Sequence, residues 1–162
     1  MAKVDNRETQ PPIPLAAQFA VAEPVRIDLT PLARELALLE EAMQLWRAEP
    51  AGSRLKPHLR SAVIQSFEFS YELAVRLLRR TLVERAASAP AVADLSFNDL
   101  LRAAADAGLL PDALGWRGWR ELRNATSHAY DESRAEAVAG QAGAFAADAR
   151  ALLARLEAAG GG

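Results

Sequence analysis

Apolar residues spaced four, three, four, three recur in separate segments of this chain, and that spacing restricts its fold more than any other feature. Leu32, Leu36, Leu39, Met43 and Trp46 form the first stripe, and Val138, Ala142, Phe145, Ala149, Leu152 and Leu156 form the last. On a helix turning about 100° per residue, such positions line up on one narrow face, the pattern of packed bundles. The middle segment, from about Leu55 to Arg85, carries two adjacent rows. One is Val63, Phe67, Ser70, Ala74 and Leu77; the other is Ile64, Glu68, Tyr71, Val75, Leu78 and Leu82. A helix covered on one side needs a single row, so the second row predicts cover on two sides, with a homodimer as its simplest source. The alternation of β-branched residues that marks strands is absent, as is an apolar run of about 18 residues able to span a membrane.

Local signals divide the chain. Thr30-Pro31 is a good helix start, with the Thr30 hydroxyl as cap, and Pro50-Ala51-Gly52-Ser53 ends that helix near Glu49. Ala86 to Asp94, with Pro90, reads as a linker. Ser96 and Asp99 resemble a capping pair that opens a short helix to about Ala107, stopped by Gly108. Pro111 and Asp112 open a further helix that continues to His128 or Ala129. The last begins near Ser133, with Glu136 in the capping-box position, and frays into Gly160-Gly161-Gly162. These signals predict an all-α fold over residues 30–159, an antiparallel up-down bundle of four main helices plus a short one, dimerising. Residues 1–29, with Pro11, Pro12, Pro14 and Pro24, read as an extended arm, and 160–162 as a glycine tail. The apolar run Ile13 to Ala22 is broken by Pro14 and Gln18, and Asp5 and Glu8 offset Lys3 and Arg7, so an arm is preferred to a secretory signal and a cytoplasmic location is expected.

Composition removes several kinds of chemistry. The 162 residues contain no Cys, which excludes thiolate zinc sites and thiol nucleophiles. Nineteen Lys plus Arg against 21 Asp plus Glu leave a formal charge of -2, so any attraction to nucleic acid must be local.

The local exception to helical monotony is Arg123-Asn124-Ala125-Thr126-Ser127-His128-Ala129-Tyr130. On a regular helix Trp116, Arg120, Arg123, Ser127 and Tyr130 share one row, and Arg117, Glu121, Asn124 and His128 the next. Leu122, Thr126 and Ala129, with Trp119, enter the core. Arg123 and His128 then stand about 140° apart. A long Arg side chain, a helix ending near His128 or a second copy of the chain must close that gap. A guanidinium grips phosphate oxygens in a fork, and an imidazole can take and return a proton near neutral pH. Beside a phosphodiester, the two suffice without metal or cofactor for an RNA 2′-hydroxyl to attack its own phosphate, with His128 as base or acid and Arg123 stabilising the added negative charge. Asn124 could orient the imidazole or bind substrate together with Ser127. Glu68, a carboxylate in an apolar row, requires a hydrogen bond or an Arg from another helix, as a satisfied buried acid or as part of the site. Glu72 with Arg76 reads as a solvated i,i+4 pair, and Arg76, Arg79 and Arg80 as a wetted basic face.

Arg123-Asn124-x-x-x-His128-x-Tyr130, preceded by Trp116 and followed by Asp131-Glu132, resembles the Arg-x4-His-x-Tyr signature of HEPN-domain proteins. More narrowly, with Phe67 to Ala74 and Gly108-Leu109-Leu110, it is similar to the branch described as nucleotidyltransferase substrate-binding proteins, over roughly residues 30–158. Gly115 and Gly118 are expected to loosen the start of the motif helix. The resemblance implies a dimerising helical bundle whose two Arg/His motifs meet in a cleft. It also implies a separately encoded minimal nucleotidyltransferase as partner, in a toxin-antitoxin-like module. Carried over by position, Arg123 and His128 are the catalytic pair of a metal-independent ribonuclease, Asn124 is an orienting residue, and Tyr130 is the tyrosine that receives AMP when the partner silences the enzyme. The alternative is a noncatalytic subunit that binds a substrate or nucleotide for that partner. A third reading leaves the motif as a hydrogen-bond network within a dimer.

Overall fold

The computed structural model describes residues 26–160 apart from Ala87; Gly161, Gly162 and the N-terminal arm lie outside the described residues, except for the last four residues of the arm, which carry no regular structure. Six α-helices follow in order among the described residues: α1 (Thr30–Ala48), α2 (Lys56–Arg85), α3 (Ala89–Ala93), α4 (Phe97–Asp106), α5 (Ala113–Ala125) and α6 (Glu132–Gly160). A single 3-10 turn, Thr126–His128, extends α5. The described chain contains helices and no strand.

The stripes read from the sequence are buried. All five residues of the α1 stripe and all six of the α6 stripe lie in the core. Both α2 rows are also covered, apart from partly buried Glu68 and Val75, but by this chain itself: α1 and α6 pack against α2, and α3, α4 and α5 close on it as well. The second row therefore does not require a dimer mate, which corrects that inference. Thr30 is not the cap of α1 either. The helix begins at Thr30, and Asp28 Oδ1 accepts from the Thr30 N–H at 2.9 Å. At the other end, the Lys56 ammonium donates to the Trp46 and Glu49 carbonyls and stands over the Trp46 ring, closing the α1–α2 turn.

The expected linker after α2 contains α3, a five-residue helix. Arg79, expected to be solvated, donates from Nη1 to the carbonyls of Val92, Ala93 and Leu95 at 3.0–3.2 Å and so holds the end of α3 against α2. The next two helices start as their sequence signals predict: Ser96 Oγ accepts from the Asp99 N–H, and Asp112 Oδ1 from that of Gly115. Between them, Gly108 adopts φ +72°, a left-handed position natural to glycine, while the Leu109 N–H reaches back to the Ala104 carbonyl. At α6 the cap is Asp131 rather than Ser133. Its Oδ1 takes the Ser133 hydroxyl at 2.6 Å and the Arg134 N–H at 3.0 Å, which hold its carboxyl below the ordinary aspartate range. Glu136 closes no capping box but pairs with Arg60 at 3.0 Å.

Phe145 on α6 is the meeting point of the core. Phe67 packs edge-on to it at 4.9 Å, Trp119 at 5.8 Å and Trp116 at 6.1 Å, with Tyr71 tilted at 6.4 Å. The Trp119 indole N–H also donates to Asp148 Oδ2 at 2.8 Å. Trp116 is buried, not on a polar row, so α5 enters the bundle through two indoles one turn apart. This fixes the helix on which the Arg/His motif stands.

Candidate functional site

The motif spans the end of α5 and the 3-10 turn. Leu122 and Thr126 are buried and Ala129 is partly buried, as the helical rows predict, while Asn124, Ser127, His128 and Tyr130 are exposed. The tightening of the helix at Thr126 was not anticipated. A 3-10 turn rotates about 120° per residue, so its three residues carry His128 roughly 60° further round, from about 140° on a regular helix to nearly opposite Arg123, about 160° by the shorter way. Among the described residues no hydrogen bond or ion pair joins these two side chains.

Arg123 instead lies between two carboxylates of α2. Its Nη2 and Nε donate to Glu72 Oε1 at 2.6 and 3.2 Å, and its Nη1 stands 3.7 Å from Glu68 Oε1. The Glu72 hydrogen bond, ahead of the Glu68 charge, holds the guanidinium pKa above its ordinary value against the opposing effect of burial. The sequence reads Glu72 as a solvated partner of Arg76; it is exposed in the structure, but its partner is Arg123. The sequence signal that could have found it is its position one turn after Glu68, on the side facing the Arg-rich row of α5.

Glu68 does have the Arg and hydrogen-bond partners that a carboxylate in an apolar row demands. The Thr126 hydroxyl lies 2.5 Å from Glu68 Oε1 and 2.6 Å from the Arg123 carbonyl, and its single proton serves one of them at a time. Glu72, Arg123, Glu68 and Thr126 thus form one chain of polar contacts that ties α2 to the first residue of the 3-10 turn. That tether sets where Ser127 and His128 emerge. Ser127 Oγ donates to the Asn124 carbonyl at 2.9 Å. The His128 ring stands edge-on to Tyr130 at 6.0 Å, and Tyr130 is 86% exposed. Asn124 makes no hydrogen bond to His128 among the described residues; its side chain lines a groove between α4 and α5.

Beneath Arg123, Tyr71 is buried, and burial raises its phenol to about 12, with Arg120 and Arg123 opposing that rise and Glu72 adding to it.

A helical bundle with an Arg/His motif whose Arg123 is held by two carboxylates now has a family. Residues 27–158 match the family described as nucleotidyltransferase substrate binding protein like, and the chain belongs to it. A Haemophilus influenzae protein named probable ribonuclease HepT is 38% identical over 96 residues, which is 59% of this chain and 66%, just under two thirds, of that relative. The solved structure of HI0074, also from Haemophilus influenzae, superposes with a TM-score of 0.73 at 31% identity, covering 80% of this chain and 99% of that one. It is described as the fold of a substrate-binding domain of a nucleotidyltransferase.

Proposed function

We propose that this chain is the HEPN subunit of a two-component module with a nucleotidyltransferase, and that it cleaves RNA without metal through Arg123 and His128. The carrying observation is the Arg123 clamp. Glu72 and Glu68 occupy one side of the guanidinium and leave its remaining N–H groups for a phosphate, and the Glu68–Thr126 contact fixes the turn that presents His128. His128 then withdraws the 2′-hydroxyl proton or returns one to the leaving oxygen, and Arg123 stabilises the dianionic intermediate. Because the 3-10 turn carries His128 further round from Arg123, the productive pair is completed across a second copy of the chain. Exposed Tyr130 beside His128 is accessible to a modifying enzyme, and AMP placed there would put a charge and a bulky group over the imidazole. The family and the HepT relative support the partner and the reaction class.

The test is cleavage of a broad RNA panel by purified protein in chelator. Wild type should cut and His128→Ala should not; equal RNA integrity with both overturns the reading. Co-expression with the partner nucleotidyltransferase should transfer AMP from ATP to Tyr130 with release of pyrophosphate, seen as added mass, and abolish RNA cleavage, and sedimentation should give a dimer.

One observation favours a second reading, a noncatalytic subunit that binds a substrate for the nucleotidyltransferase: Arg123 is already neutralised by two carboxylates. In that case both proteins leave RNA intact, and nucleotidyl transfer by the partner depends on this chain.

A further inference from the structure

Between the start of α4 and the exposed face of α5 lies an open groove of about 390 Å³, lined by Phe97, Asn98, Arg117, Arg120, Glu121 and Asn124. Its volume falls within the range of small-ligand sites. Two features separate it from an ordinary wetted surface. The Arg120 guanidinium is laid over the Phe97 ring, 4.5 Å from its centroid, and Arg117 Nε donates to Asn98 Oδ1 at 3.0 Å. Both forks are therefore held in place. Yet neither is in an ion pair among the described residues, whereas Arg60, Arg102, Arg123 and Arg150 each are. Glu121 shares the groove without bridging to either, leaving two guanidinium groups against one carboxylate.

Building on the ribonuclease reading, we infer that this groove is a nucleotide subsite: it takes one unstacked base and the adjoining phosphate of a single RNA strand running past the Arg123/His128 motif. One face of Arg120 rests on Phe97. Its other face offers a flat, charged platform on which a base stacks regardless of sequence. The edge N–H groups of Arg117 and Arg120 suit a phosphate. The carboxylate of Glu121 and the amides of Asn98 and Asn124 suit the polar edge of a base, which offers both donors and acceptors. Placement supports the assignment. Arg120 precedes Asn124 by one helical turn, and Asn124 precedes His128 by the same four residues. Along the helix axis the groove and His128 are therefore roughly 13 Å apart, with His128 carried round by the 3-10 turn, so a strand seated in the groove crosses the end of α5 to reach it. A base inside a duplex cannot reach the platform, so the subsite selects single-stranded RNA.

The test uses the full chain with His128→Ala, so that binding is read without cleavage, and two probes: a short fluorescein-labelled single-stranded RNA and free adenosine 5′-monophosphate. Arg117→Ala and Arg120→Ala change exposed side chains and leave the fold intact, and Phe97→Leu keeps an apolar side chain in the half-buried site while removing the ring. The Arg120 and Phe97 variants should each weaken RNA binding by roughly 5- to 100-fold, and their combination should cost less than the product because they build one platform. Duplex RNA should compete poorly. RNA affinity unchanged in all three variants, while wild type still cleaves, overturns the groove alone. Loss of monophosphate binding without loss of RNA binding overturns its assignment to the strand. A parent protein that binds neither probe, from a wild type that cuts nothing, overturns the groove together with the ribonuclease reading.

Discussion

At the scale of the residue, Arg123 is restrained by two carboxylates of α2, and that restraint has a functional cost to lose. Glu72→Ala removes the bond that aims the guanidinium, and cleavage should fall roughly 10- to 100-fold, the scale on which small misplacements of a catalytic group act. Glu72→Gln keeps an acceptor and should lie between; faster cleavage by either variant would show that the pair restrains rather than orients. Beneath it, Tyr71 gives a pH signature. Its folded pKa of about 12 stands above the ordinary 10.0, so its contribution is fully present below pH 10 and is lost as pH rises toward 12. At pH 11 that loss is about 1 kcal/mol. Denaturant midpoints measured at pH 8 and pH 11 should therefore diverge less in Tyr71→Phe than in the parent, and an equal fall in both would count against a titrating Tyr71. Glu68 was legible from sequence because a carboxylate in an apolar row must find a partner. Glu72 was not, because Arg76 four residues on offers a local explanation, and only the fold brings Arg123 nearer.

At the scale of the element, α5 shows how local chemistry and packing divide the work. Gly115 and Gly118 both suggest a loose helix start, yet they differ. A Cβ at Gly115 would stand 2.6 Å from Asp112 Oδ2, inside the cap that begins the helix, whereas one at Gly118 meets nothing within 4 Å. Gly118→Ala should therefore raise stability by about 1 kcal/mol through helix propensity. Gly115→Ala should lower the thermal midpoint by displacing the Asp112 carboxylate, and a gain at both positions would remove the cap from this account. The stripes of α1, α2 and α6 and the caps at Ser96 and Asp112 could be read in sequence because each depends on residues within one or two turns. The short helix α3 could not. Ala-Pro-Ala-Val-Ala has no cap of its own, and its terminal carbonyls are satisfied by Arg79, ten residues or more away in the chain. The 3-10 turn was likewise hidden, since Glu68 and Thr126 meet across 58 positions.

At the scale of the whole molecule, periodicity gives how much of a helix circumference is buried but not by whom. The doubled row of α2 suggested a partner chain and is covered within the chain instead, so a dimer now rests on the separation of Arg123 and His128, not on hydrophobic need. Charge can be argued at the same scale. The protein is acidic by two units, and the basic side chains on the proposed strand path are few: Arg117, Arg120 and Arg123. Single-stranded binding changes with salt by about 0.7 per neutralised phosphate, so three arginines give a slope of roughly -2 in log affinity against log salt. A broadly basic RNA-binding surface would give a much steeper line. Binding of labelled RNA to His128→Ala across a salt series measures this slope. Arg117→Ala or Arg120→Ala should flatten it by somewhat under one unit each, while Arg85→Ala, at the far end of α2, should leave it unchanged. A steep slope indifferent to Arg117 and Arg120 would place the strand on another face of the bundle.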